Sequence, residues 1–73
     1  MPPVGERLRL ARERKAWTQA DLSGHAGVAA LTILRIENGK SHPRLPTVRK
    51  LAEALSVDPG WLLFGEECKF DER

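Results

Sequence analysis

The segment TQADLSGHAGVAALTILRIENGK, residues 18–40, predicts two short helices joined by a tight turn. The hydroxyl group of Thr18 can cap the first of these helices, and Asp21 occupies the capping-box position three residues later. Gly27 marks the turn. The second helix ends at Gly39, because glycine readily adopts the left-handed backbone that follows a helix end. The segment therefore predicts a helix, a turn and a second helix.

The second of these helices, predicted over about Ala29 to Asn38, has two chemically different faces. At roughly 100° per residue, its inner side is formed by Ile33, Ile36 and Glu37. The opposite side carries Leu31, Leu34, Arg35 and Asn38, with Ala30 on its flank. We expect the first side to face the core and the second to be exposed, which leaves an unusually apolar surface for contact with a partner.

Three further helices complete an all-α prediction of five compact helices without strands. Apolar residues recur at spacings of three and four along the chain, which is the helical period. The first helix is predicted over about Gly5 to Lys15, the fourth from Pro46, and the fifth from Asp58. The fifth carries four large apolar side chains, which are Trp61, Leu62, Leu63 and Phe64.

The length and composition limit the classes of protein to which the chain can belong. Its 73 residues predict one domain over residues 1–65 and a short acidic tail over residues 66–73. Cys68 is the only cysteine, and His25 and His42 lack the spacing of metal ligands, so we expect no disulfide, metal or cofactor. No nucleophile has an evident base, so we expect no enzyme. No segment resembles a membrane span or a signal peptide, which predicts a cytoplasmic protein.

Charge is distributed unevenly along the chain. Residues 1–50 carry ten Lys or Arg and four acidic residues, a formal charge of +6, whereas residues 51–73 carry two and six, a formal charge of −4. A basic end is typical of proteins that bind polyanions such as nucleic acids. A solvated surface of mixed charge gives the same pattern, so charge alone leaves both interpretations open.

The order and spacing of several short motifs resemble one known family. The motifs are Gln19-Ala20-Asp21-Leu22, Gly27-Val28, Thr32-Ile33, Ile36-Glu37-Asn38-Gly39-Lys40, Pro43, Leu51-Ala52-Glu53-Ala54-Leu55 and Trp61-Leu62-Leu63. Together they resemble the lambda-repressor-like helix-turn-helix domain, of the Cro and xenobiotic-response-element type, across nearly the whole chain. The resemblance implies a five-helix domain whose second and third helices bind double-stranded DNA. The third helix would lie in the major groove, usually in a homodimer.

Two groups of residues are predicted to contact DNA. Residues at helix ends and basic residues near them usually bind phosphates, and here they are Gln19, Asn38, Lys40 and Arg44. The exposed face of the third helix would meet the bases through Ala30, Leu31, Leu34 and Arg35. We expect Arg7, Arg9 and Arg14 to be solvated residues of the first helix. Ala29, Ala16 and Ser56 depart from the family pattern, which often has a cap residue at the first position and turn glycines at the others.

The resemblance also implies a structural ion pair and a dimer interface. Members of the family pair an arginine of helix 1 with a glutamate of helix 3, and the matching residues are Arg12 and Glu37. Such a pair would explain a carboxylate on the inner side of the third helix. A homodimer is predicted through Trp61, Leu62, Leu63 and Phe64, because one short helix cannot bury so many large apolar groups alone.

The sequence thus predicts a DNA-binding transcriptional regulator that acts as a repressor on a palindromic operator. Two alternatives remain open at this point. In the first, the chain is the antitoxin of a toxin–antitoxin pair, with a toxin or another regulator as its protein partner. In the second, the chain is a protein-interaction module that uses Leu31 and Leu34, because an exposed apolar cluster often marks an interface.

Overall fold

The structure, a computed structural model, describes residues 3–65 of the chain. The helices are α1 (Val4–Arg14), α2 (Gln19–Ala26), α3 (Ala30–Glu37), α4 (Leu45–Leu55) and α5 (Pro59–Phe64). No strand occurs within these residues, and the predicted all-α fold of five helices is confirmed. The predicted acidic tail and Cys68 lie outside the described residues.

The local signals that define the helix-turn-helix segment have the predicted geometry. The Thr18 hydroxyl oxygen accepts a hydrogen bond of 3.0 Å from the backbone N–H of Asp21, and the Asp21 carboxylate accepts one of 2.9 Å from the backbone N–H of Thr18. Gly27 follows α2 with a φ of 70°. α3 is one residue shorter at each end than predicted, because Ala29 and Asn38 are its caps, and Ala29 provides no side-chain cap.

Each of the five helices contributes to one hydrophobic core. The largest fully buried side chains are Leu8 of α1, Leu22 of α2, Ile33 and Ile36 of α3, Val48 and Leu51 of α4, and Leu62 of α5. α3 packs against both α1 and α2, and α5 packs against α1 and α4. Because α1 and α2 both pack on the inner side of α3, the opposite side of α3 remains exposed.

All five helices within residues 3–65 are followed by a residue with left-handed backbone, and the residues after α1 and α4 are not glycine. Gly39 follows α3 with a φ of 74°, whereas Ala16 and Ser56 adopt a φ of 58° after α1 and α4. At these three ends the next N–H bonds back to a carbonyl oxygen in the last turn, for example from Lys40 to Arg35 at 2.8 Å. This geometry terminates a helix efficiently, but it is strained for a residue that has a Cβ atom.

Gly5 allows α1 to approach the last turn of α3 very closely. A Cβ atom at this position would collide with the backbone carbonyl oxygen of Ile36 and would lie 3.1 Å from Cα of Glu37. The missing side chain therefore sets the distance between the two helices.

Among residues 3–65, no helix is both long enough and apolar enough to cross a bilayer.

Candidate nucleic-acid interface

The two faces of α3 differ in burial as its sequence predicts. Ile33 and Ile36 are 0% and 1% exposed and lie in the core. Leu31 and Leu34 are 54% and 39% exposed on the other side, where Ala30 and Arg35 are also exposed. α3 thus presents a surface made of three aliphatic side chains and one guanidinium group, which we call the outer face.

Arg12 and Glu37 form a nearly buried ion pair between α1 and the end of α3. Arg12 Nε donates to Glu37 Oε2 at 2.8 Å and Nη2 donates to Oε1 at 2.9 Å, while the two side chains are 11% and 4% exposed. A third donor, Nη1, reaches the backbone carbonyl oxygen of Trp17 at 2.8 Å. The hydrogen bond to Glu37 raises the pKa of Arg12, so the guanidinium stays charged. Arg12 therefore ties α1, the turn before α2 and α3 together.

Gln19 belongs to the same network, which its sequence position does not reveal. Its side-chain amide Nε2 donates a hydrogen bond of 3.1 Å to Glu37 Oε1, and the residue is half-buried at the start of α2. An amide group has two N–H bonds, so this contact leaves one donor for another acceptor. The carboxylate of Glu37 thereby fixes the position of Gln19 at the edge of the outer face.

The stretch of sequence that contains α3 carries mainly positive charge. Glu37 is the only acidic residue between Asp21 and Glu53, and Arg12 and Gln19 both bond to it. The same stretch contains five cationic residues, which are Arg35, Lys40, Arg44, Arg49 and Lys50, all of them exposed. Lys40 extends from a backbone that is bonded to the last turn of α3, and Asn38 is the exposed cap of that turn. These exposed cations and polar groups would suit a polyanion bound alongside α3.

These features occur together in a known family. A family model for a helix-turn-helix domain matches residues 5–67. The chain belongs to the helix-turn-helix family. Its solved structural neighbours agree with the lambda-repressor-like resemblance. The P22 c2 repressor, solved in complex with synthetic operator 9T, is 30% identical, with a TM-score of 0.84 over 90% of this chain and 100% of that chain.

Other relatives of this helix-turn-helix domain are also named as regulators. The restriction-modification controller protein C.AhdI from Aeromonas hydrophila is 32% identical, with a TM-score of 0.77 over 82% of this chain and 91% of that chain. The transcriptional repressor RghR of Bacillus subtilis is 43% identical over 88% of this chain and 48% of its own length. The regulator DicA of Escherichia coli is 32% identical over 90% and 49%. The chain therefore spans about half the length of these two curated relatives.

Arg7 corrects one expectation for the helix-turn-helix domain. This residue is 5% exposed and is not part of the solvated surface, because its Nε donates to the backbone carbonyl oxygen of Leu62 at 3.0 Å and its Nη2 to that of Leu63 at 2.7 Å. Burial lowers the pKa of Arg7. The sequence carried a signal for this position, since Arg7 lies one turn from both Val4 and Ala11 on the inner side of α1.

The residues predicted to form the dimer interface have different environments. Leu62 is 1% exposed and lies in the core of its own chain. It cannot contact a second copy, so its place in the predicted dimer interface is wrong. Trp61 and Leu63 are half-buried against the core, and Phe64 is 63% exposed. Phe64 lies in a groove between α4 and α5 that also contains Leu45, itself 56% exposed. The apolar surface on this side is thus wider than α5.

Proposed function

We propose that this domain is a DNA-binding transcriptional regulator in which α3 lies in the major groove of double-stranded DNA. The observation that supports this most directly is the combination of an exposed outer face with the stretch between Asp21 and Glu53, which carries five exposed cations and no exposed acid. Within that stretch a polyanion meets no exposed acid, because Glu37 is the only acidic residue there and is bonded to Arg12. The operator complex of the P22 c2 repressor, which has the same fold, supports the same assignment.

The proposed phosphate contacts are Gln19, Asn38, Lys40 and Arg44. Gln19 retains one amide N–H beyond its bond to Glu37, and Asn38 and Lys40 lie at the fixed end of α3. Arg44 is the exposed cap residue of α4. Contacts of this kind hold a protein in register on the duplex without reading its sequence.

The proposed base contacts are Ala30, Leu31, Leu34 and Arg35 of the outer face. Arg35 is the only one of these residues with a hydrogen-bond donor in its side chain, and arginine commonly binds O6 and N7 of guanine. The leucines have no polar group and would pack on thymine methyl groups. Affinity would then come mainly from phosphates, with a modest preference for particular sequences.

We further propose that the domain acts as a homodimer and represses transcription at a palindromic operator. Trp61, Leu63 and Phe64, together with Leu45, form the apolar side that a second copy would cover. Two-fold symmetry would place two copies of α3 roughly 34 Å apart, the spacing of successive major grooves. The name of RghR as a transcriptional repressor supports the direction of regulation.

Salt titration of two variants tests the proposed binding mode. Loss of one phosphate contact should change the slope of log affinity against log salt by about 0.9 per protomer, so Lys40→Ala should weaken binding to all duplexes equally and flatten that slope. Arg35→Ala should chiefly reduce the preference for one base pair. Fluorescence anisotropy on duplexes selected from a randomised pool measures both effects. Binding that does not depend on salt would contradict the proposal.

A protein-interaction role remains the second candidate because Leu31 and Leu34 are exposed on an ordered helix. An antitoxin would use such a surface for its toxin. Leu31→Gln and Leu34→Gln separate the two roles. If both variants keep the affinity and base preference of the wild type while association with a protein from the same cell is lost, the outer face is a protein-binding surface.

A further inference from the structure

The outer face of α3 can distinguish base pairs by shape and apolar contact, but almost not at all by hydrogen bonds. Leu31 and Leu34 are 54% and 39% exposed and project from neighbouring turns of the helix. Ala30 lies beside them, and Arg35 is the only donor among the four residues. Two adjacent leucine side chains offer a hydrophobic contact to any methyl group that protrudes from a groove floor.

In the major groove, such a methyl group is displayed at C5 of a pyrimidine base. Thymine has a methyl group at C5 and an acceptor at O4, whereas cytosine has a hydrogen at C5 and a donor at N4. Methylation of cytosine at C5 adds the same methyl group at the same place and leaves the N4 donor unchanged. A leucine side chain has no hydrogen-bonding group with which to discriminate O4 from N4. Its preference must therefore follow the methyl group.

We infer that the outer face of α3 is a reader of C5-methyl groups, so that this domain binds 5-methylcytosine in duplex DNA at positions where it also accepts thymine. The inference rests on the proposed function and specifies its ligand, which is a duplex carrying C5-methylated pyrimidines. Methylation of an operator cytosine would strengthen binding of the domain.

Charge complementarity favours DNA as the occupant of this apolar face. Arg35 belongs to this face, Lys40 follows the last turn of α3, and Arg44 is a further exposed cation of the same stretch, while the only acid between Asp21 and Glu53 is held by Arg12 and Gln19. The major groove has a matching arrangement, with a floor that carries methyl groups between two rows of phosphates. An uncharged apolar partner would leave the cations without any counterpart.

DNA duplexes in which one C5-methyl group is added or removed test this inference. The probes are duplexes that the domain selects from a randomised pool, in which each thymine is replaced in turn by deoxyuridine, and each T·A pair is replaced in turn by a C·G pair with or without a methyl group at C5 of the cytosine. One buried methyl group is worth roughly fourfold in affinity. Deoxyuridine should therefore weaken binding about fourfold at one or more positions. At those positions, 5-methylcytosine should bind about fourfold more tightly than cytosine.

Leucine variants assign the methyl effect to the outer face. Leu31→Ala combined with Leu34→Ala should remove both the deoxyuridine and the 5-methylcytosine effects while the salt dependence persists. Leu10→Ala is the matched control, because Leu10 is 44% exposed on α1 and lies among Glu6, Arg9 and Glu13, away from α3. It should keep both effects.

Two negative outcomes can be told apart. If the duplexes bind with strong salt dependence but neither base analogue changes affinity, the methyl inference is overturned and the proposed function stands. If no duplex binds at all, both are overturned. Methyl effects that survive the double leucine variant would also contradict the assignment to α3.

Discussion

At the scale of single residues, the contact between Arg12 and Glu37 is expected to be the most sensitive point of the structure. Removing one partner leaves a charge that is almost fully excluded from water, which typically costs about 3–5 kcal/mol when burial is complete. Such a cost is a large part of the total stability of a small domain. We therefore expect Glu37→Gln and Arg12→Met to lower the melting temperature strongly, as measured by circular dichroism.

A double variant provides the control for this ion pair. Arg12→Met combined with Glu37→Met removes both charges together, so its loss of stability should be smaller than the sum of the two single losses. Melting curves of the single variants that overlay the wild type would show that the pair does not contribute to stability.

The left-handed residues Ala16 and Ser56 allow a gain in stability. An L-residue in this conformation costs roughly 1–2 kcal/mol, and glycine avoids most of that cost. Ala16→Gly and Ser56→Gly should each raise the free energy of unfolding by about 1 kcal/mol in urea denaturation. Gly39→Ala is the matched control, since its φ is 74° and a Cβ atom there would meet no other atom within 4 Å. It should destabilise by a similar amount, and a stable Gly39→Ala variant would refute the backbone explanation.

At the scale of helices, hydrophobic periodicity predicts which side of a helix faces the core and which side is exposed. It does not predict contacts between segments that are distant in sequence. The two faces of α3 follow from the helical repeat of 3.6 residues, which is visible in the local sequence alone. The sequence predicts Arg7 on the solvated surface of α1, although Arg7 lies one turn from Val4 and Ala11. Its buried position depends on carbonyl oxygens of Leu62 and Leu63, 55 and 56 residues away, and no local pattern encodes those acceptors.

Gln19 shows the same limit within the candidate interface. Its place at the start of α2 predicts a polar contact, but the sequence cannot say that Glu37 lies within 3.1 Å of its amide group. That distance follows from the packing of α2 on α3 and from the close approach of α1 at Gly5. For the same reason, only the family resemblance predicts the ion pair of Arg12 with Glu37.

At the scale of the whole molecule, assembly should depend on the groove between α4 and α5. Burying a leucine or phenylalanine side chain contributes about 1.5–3 kcal/mol, and Leu45 and Phe64 are 56% and 63% exposed in the single chain. We expect sedimentation equilibrium to show a mass that rises with concentration toward twice 8.2 kDa. Leu45→Glu and Phe64→Glu should hold the mass at that of one chain.

The control for assembly is again on the outer side of α1. Leu10→Glu places the same charge at a comparably exposed leucine outside the groove, so it should not change the association. A wild-type protein that sediments only as an 8.2 kDa species at high micromolar concentration, with and without DNA, would exclude the proposed homodimer.

The separation of the two faces of α3 has a consequence for the evolution of this domain. Ile33, Ile36 and Glu37 maintain the fold, and none of them belongs to the outer face. Surface substitutions away from special features usually change stability by no more than about 0.5 kcal/mol. Ala30, Leu31, Leu34 and Arg35 can therefore mutate in many combinations while the chain still folds. A lineage can acquire a new target site on this scaffold without first evolving extra stability.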